Sequence, residues 1–141
     1  MDSQLLRLLF DLGLVVLIWM VQLIIYPSFK RYSKDNLEQW HKIYVQRIAI
    51  IVVPLMLGQL IISIYQLYKV HSAYTIGSLL AIIFLWGFTF THFAPIHRQI
   101  SNNLYSPDLL YTLQKRNWLR TLLWTLIFLW GITQSYIYPT E

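Results

Sequence analysis

Cysteine is absent from the 141 residues. That removes disulfides, thiolate metal sites, iron–sulfur clusters and thiol nucleophiles. Acid is scarce as well: six Asp and Glu stand against eleven Lys and Arg, and Glu38 and Glu141 are the only glutamates. Charged residues make up 12% of the chain, roughly half the share of a soluble domain. No serine–histidine–aspartate signature, phosphate loop or dinucleotide fingerprint is present. The net charge of +5 has no companion feature that would point to nucleic acid. In so apolar a chain the cations suit loops beside anionic lipid.

What is abundant is apolar: 57% of residues are hydrophobic and 16% aromatic. They fall in long runs separated by short polar stretches. Only helices and closed barrels can cross lipid, because each backbone N–H and C=O must be paired there. These runs are too long and too uniform for barrel strands. The expectation is an all-α integral membrane protein, one domain with spans near residues 5–26, 44–68, 75–95 and 118–138, packed as an up-down four-helix bundle. The first run is as long as a full span and ends in Ile25-Tyr26-Pro27. It therefore reads as a span and not as a cleaved leader. Asp2 or Ser3 caps it, and Ser106-Pro107-Asp108 marks a later helix start. Leu37, Trp40 and Tyr44 form one stripe, which predicts a short interfacial helix in the first polar connector, running into span two. Trp118, Tyr136 and Tyr138 mark the aromatic belts of span four.

Nine of the eleven Lys and Arg lie in residues 30–47 and 98–120; Arg7 and Lys69 are the other two. The bias predicts that both long loops are cytoplasmic and both termini outside, as in a bacterial-type inner (plasma) membrane. The halves also resemble each other. Pro27-Ser28-Phe29-Lys30 ends span one and Pro95-Ile96-His97-Arg98 ends span three, while Gln46-Arg47 and Leu119-Arg120 open the spans that follow. Both hairpins enter from one side, so the repeat would be parallel, about an axis along the membrane normal.

Polar groups inside spans are the functional candidates. Asp11 is one, although Arg7, four residues earlier, shares its helix face. Pro54 interrupts span two and frees the carbonyl of Ile50, with Gly58 and Gln59 one turn on, which opens a gap or serves ordinary packing. The expected topology gathers Gln22, Tyr26, His41, Tyr44, Arg47, His92, His97, Asn117 and Arg120 at the cytoplasmic end. Three chemistries fit such a set. His41, His92 and His97 would be the ligands of a metal; Glu38-x-x-His41 matches part of a di-iron motif, but the further glutamates are missing. A haem would need two facing histidines. A lipophilic organic molecule would need neither: aromatic walls hold its body while histidine takes a proton and arginine holds an oxygen.

At Pro95-x-His97 and Asn117-Trp118-x-Arg120 the chain resembles the small four-span membrane proteins of the anthrone-oxygenase-like family, in overall layout and in these residues. Members show a Pro-x-Asn-like turn after span three; here His97 takes the asparagine position. The resemblance implies cofactor-independent oxidation of an electron-rich aromatic or quinone-like substrate, with His92 and His97 as catalytic bases. Arg47 and Arg120 would then hold the substrate oxygen. Gln22, Tyr26, His41, Tyr44 and Asn117, gathered at the same end by the expected topology, would be further substrate-binding residues. The competing reading is a non-enzymatic anchor or assembly subunit, partnered by membrane lipids, by its own copies or by another membrane subunit. An enzyme should turn His92, His97, Arg47 and Arg120 into one cavity, whereas an anchor should turn them to lipid head groups. No span carries the midplane charge or continuous polar stripe of a transporter or channel.

Overall fold

The structure is a computed structural model that describes residues 2–137. Tyr138 and Glu141 lie outside the described residues. The described elements are all helical. Four helices carry the fold: α1, Ser3–Phe29; α2, Lys34–Lys69; α3, Ala73–Ser101; and α4, Pro107–Ile137. α1 packs on α2 and α4, and α3 packs on the same two. One end of the packing carries the connectors at residues 30–33 and 102–106. The other, called the termini end below, carries the first and last described residues, 2 and 137, and the connector at residues 70–72.

Local chemistry sets these limits. Asp2 caps α1 by accepting from the backbone N–H of Gln4 at 3.1 Å. α3 opens with a capping box, in which Ser72 and Thr75 satisfy each other's backbone N–H groups. It ends where Asn103 takes a left-handed backbone (φ 57°), which asparagine tolerates better than most residues. Ser106 and Pro107 begin α4 as their chemistry predicts, with Asp108 in the first turn.

Two expectations change. The segment 37–44 is no separate interfacial helix but the opening turns of α2, a single helix of 36 residues. No glycine or proline stands between Lys34 and Val53 to break it. The stretch before Trp118 is likewise continuous with the rest of α4. The loops are thus far shorter than the polar composition implied.

α1, α2 and α3 are each long and apolar enough to cross a membrane. α4 has the length, but Arg, Gln, Thr and Trp residues dilute it. All four present large apolar side chains outward: Ile24, Ile61, Leu80 and Leu126 are each about 60% exposed. Against lipid these faces cost nothing, whereas in water they would form extended apolar patches.

The helices meet closely. Gly58 faces the Phe10 ring, and a Cβ there would fall 2.2 Å from a ring carbon. The small residue is what lets α1 approach α2. α1 and α3 each widen for one turn into a π-helix, at Val21–Ile25 and Thr89–Phe93, two residues before Pro27 and Pro95. Proline lacks the N–H that would close the regular turn, so the wider turn accommodates it. The extra residue also shifts the face. Eight residues across it count as about seven helical positions, about 700°, so the stripe returns to within about 20° of its starting side. Ile18 and Tyr26, and Thr89 and His97, are eight apart in this way, and all four line one cavity.

Candidate functional site

The interior has two polar layers separated by apolar side chains, among them Leu14, Ile18, Met56, Ile82, Leu85 and Ile127, all buried. At the termini end, Arg7 and Asp11 form a fully buried ion pair, Nε to Oδ1 at 3.0 Å. Gln59 Nε2 donates to Asp11 Oδ1 at 2.7 Å, and Gln59 Oε1 accepts from Trp124 Nε1 at 3.2 Å. Arg7 Nη1 donates to Gln66 Oε1 at 3.4 Å, and Gln66 Nε2 donates to Gln4 Oε1 at 3.0 Å. The amide of Gln59 has one allowed orientation, since the carboxylate only accepts and the indole only donates.

At the paired-loop end, a line of side chains crosses three helices. Tyr26 Oη lies 3.1 Å from His97 Nε2, His97 Nδ1 lies 2.9 Å from His41 Nε2, and His41 Nδ1 lies 2.8 Å from Ser101 Oγ. His41 is wholly buried, and the two imidazoles stack with centroids 5.1 Å apart. Phe29 packs edge-on against both His41 and Tyr44. Tyr26, His97 and Ser101 of this line are on the wall of a cavity of about 420 Å³, lined otherwise mainly by apolar side chains and by Tyr44, Thr89, Arg98, Arg120 and Trp124. Arg120 is 7% exposed, with its guanidinium 4.2 Å from the centre of the Phe93 ring and 5.3 Å from that of Trp124. Among the described residues no carboxylate pairs with it. Arg120 Nε and Thr89 Oγ1 are buried without a hydrogen-bond partner, and both residues are on the cavity wall.

The nine residues expected at this end therefore separate into groups. Tyr26, Tyr44, His97 and Arg120 line the cavity, and His41 stands directly behind His97. Gln22 and Asn117 are buried but pair with each other, Asn117 Nδ2 donating to Gln22 Oε1 at 2.8 Å, away from the cavity wall. His92 bonds to Thr91 on an exposed flank and lies 4.5 Å from the Phe88 ring. Arg47 is exposed. The convergence expected of four residues is thus met by His97 and Arg120, while His92 and Arg47 face elsewhere.

The three histidines proposed as a metal triad are not brought together. Among the described residues no group of three or more His, Asp or Glu could hold an ion. His41 and His97 bond directly to each other, and His92 lies apart from both on the exposed flank. Two participants carried no motif: Ser101, at the end of the line, and Trp124, which joins the two layers. Gln59, Ser63 and Gln66 did carry a signal, a polar stripe at i, i+4 and i+7 within an apolar span.

No family model, curated protein or solved structure matches the chain.

Proposed function

We propose that the chain is a four-span integral membrane bundle whose cavity, near the cytoplasmic face, binds a lipophilic aromatic or quinone-like molecule and oxidises it without a cofactor. The observation that carries this reading is Arg120, a buried cation with no carboxylate beside it, placed with His97 on the wall of a mainly apolar cavity; the second arginine on that wall, Arg98, is exposed. Arg120 has Tyr26 as a hydrogen-bond partner but no counter-charge, and a buried charge without a counter-charge is costly. An oxygen that gains negative charge on the bound molecule would supply that partner, and arginine suits it. The volume of about 420 Å³ is that of a small-ligand site.

The chemistry follows from these groups. An anthrone-like substrate has a CH₂ activated by a ring-conjugated carbonyl. Removal of one proton toward the Tyr26–His97 pair leaves an enolate oxygen that Arg120 stabilises. Dioxygen then accepts the electrons: the CH₂ loses its two hydrogens and gains one oxygen, and the second oxygen leaves as water. His92 and Arg47, outside the cavity, have no part in this scheme.

Sidedness rests on the basic residues, nine of eleven at or beside the paired-loop end, which puts that end in the cytoplasm. The outward apolar side chains of α4, such as Leu122 and Leu126, support its place as the fourth span. The repeat gains support too: 68 residues separate Val21 from Thr89 and likewise Pro27 from Pro95, so the wide turns and the prolines share one offset. The anchor reading draws on His92 and Arg47, which a head-group contact would explain.

The test is turnover in lipid nanodiscs. Purified protein supplied with an anthrone and air should form the quinone faster than empty discs do. Arg120→Gln and His97→Gln should each lower the rate on the order of a hundredfold. Equal rates in protein-loaded and empty discs would overturn the enzymatic reading.

A further inference from the structure

We infer that His41 and Ser101 form a proton path that leads from Tyr26 and His97 on the cavity wall toward the paired loops. The inference rests on the reading of this cavity as a site for a molecule with an acidic hydrogen. It adds a direction to the proton's travel and two residues, of which His41 lies off the cavity wall.

The geometry has three parts. First, the line is continuous: Tyr26 Oη, His97, His41 and Ser101 Oγ are joined by contacts of 3.1, 2.9 and 2.8 Å. Second, its ends differ. Tyr26 is 2% exposed and stands about one turn inside the end of α1, whereas Ser101 is half-buried in the last turn of α3, next to the exposed Asn102. Ser101 stands one turn beyond His97, about 6 Å nearer the paired loops. Third, His41 has no exposure, so the step between His97 and Ser101 is closed to solvent. Ser101 also lines the cavity, at the end nearest the paired loops, and is the member of the line that stands beside an exposed residue, Asn102.

Each member is able to accept and donate. A hydroxyl does both, and a neutral imidazole accepts at one nitrogen and donates at the other. Two proton arrangements therefore satisfy the whole line. In one, Tyr26 donates to His97, His97 to His41 and His41 to Ser101; in the other every direction is reversed. Passing from the first to the second through proton hops moves one proton along the line. The acidic C–H or O–H of the bound molecule breaks and its proton goes to Tyr26 Oη. Tyr26 passes its own to His97 Nε2, His97 passes Nδ1–H to His41 Nε2, and His41 passes Nδ1–H to Ser101. Ser101 releases one proton to water. Each residue ends neutral, and the negative charge left on the bound molecule faces Arg120. The groups around the line are Tyr44 from α2, Arg98 from α3 and Arg120 from α4; the hydrogen bonds along it involve no carboxylate.

A naphthol, neutral in water at pH 7 and absorbing at longer wavelength once ionised, reads the transfer directly. Protein in nanodiscs is mixed with it by stopped flow, and bound naphthol is counted separately by equilibrium dialysis. Ser101→Val and Ser101→Thr have nearly the same volume and differ in the hydroxyl. The expected result is that Ser101→Val slows the appearance of the naphtholate band on the order of a hundredfold, while Ser101→Thr stays within about threefold of the parent and both bind as much naphthol. His41→Gln should slow it as Ser101→Val does. Wild-type rates in Ser101→Val and His41→Gln, with binding intact, would overturn the path and leave the binding site standing. No saturable naphthol binding by the unsubstituted protein would overturn both.

Discussion

Two arginines are buried in this chain, and they are treated differently. Arg7, 0% exposed, has Asp11 at 3.0 Å and Gln66 beyond it. Arg120, 7% exposed, has the faces of Phe93 and Trp124 and no carboxylate among the described residues. A cation with its counter-charge built in serves the fold. A cation held on aromatic faces beside a cavity leaves its strongest interaction to be made by something that enters. The layer around Arg7 is therefore read as structural and the layer around Arg120 as the site.

Substitutions should separate the two layers by size of effect. Asp11→Ala leaves Arg7 buried and unpaired, and should lower stability by about 3–5 kcal/mol, read as thermal unfolding in detergent. Replacing both partners, Arg7→Met with Asp11→Leu, should recover most of that loss. Gly58→Ala pushes a methyl into the Phe10 ring and should cost about 1–3 kcal/mol, relieved in part by Phe10→Leu. Gln59→Leu leaves both the Asp11 carboxylate and the Trp124 N–H short of a partner. A loss of about 1–3 kcal/mol is expected, with a change in the Trp124 indole N–H resonance. The smallest change in stability belongs to Arg120→Gln, within about 1 kcal/mol, because no ion pair is broken. If Arg120→Gln unfolds the protein as readily as Asp11→Ala, the contrast fails.

Much of this layout was legible in the sequence. The apolar runs give the helices, Asp2, Ser106 and Pro107 mark helix starts, and the four-residue spacing of Arg7 and Asp11 puts them on one face. Tyr26, Tyr44, His97 and Arg120 were placed at one depth because each stands near the same end of its run. What composition hid was the length of α2 and α4. Polar residues near a helix start look like loop, although nothing in residues 34–53 breaks a helix. The wide turns before Pro27 and Pro95 were hidden as well, and they decide which face His97 presents. An ideal helix gives no reason to pair Thr89 with His97 and to turn His92 away. Ser101 and Trp124 carry no motif; their roles arise from the neighbours that tertiary packing supplies.

The most direct test of the central claim is a binding titration of three proteins in nanodiscs: the unsubstituted chain, Arg120→Gln, and the Arg7→Met/Asp11→Leu pair. The ligand is a hydroxylated naphthoquinone, measured by equilibrium dialysis. One saturable site should appear in the unsubstituted chain and in the double variant, with affinity about tenfold or more weaker in Arg120→Gln, a difference of about 1.4 kcal/mol. Equal affinity in all three, or no saturable site in any, would contradict the assignment of Arg120 and its cavity as the place where this protein meets its ligand.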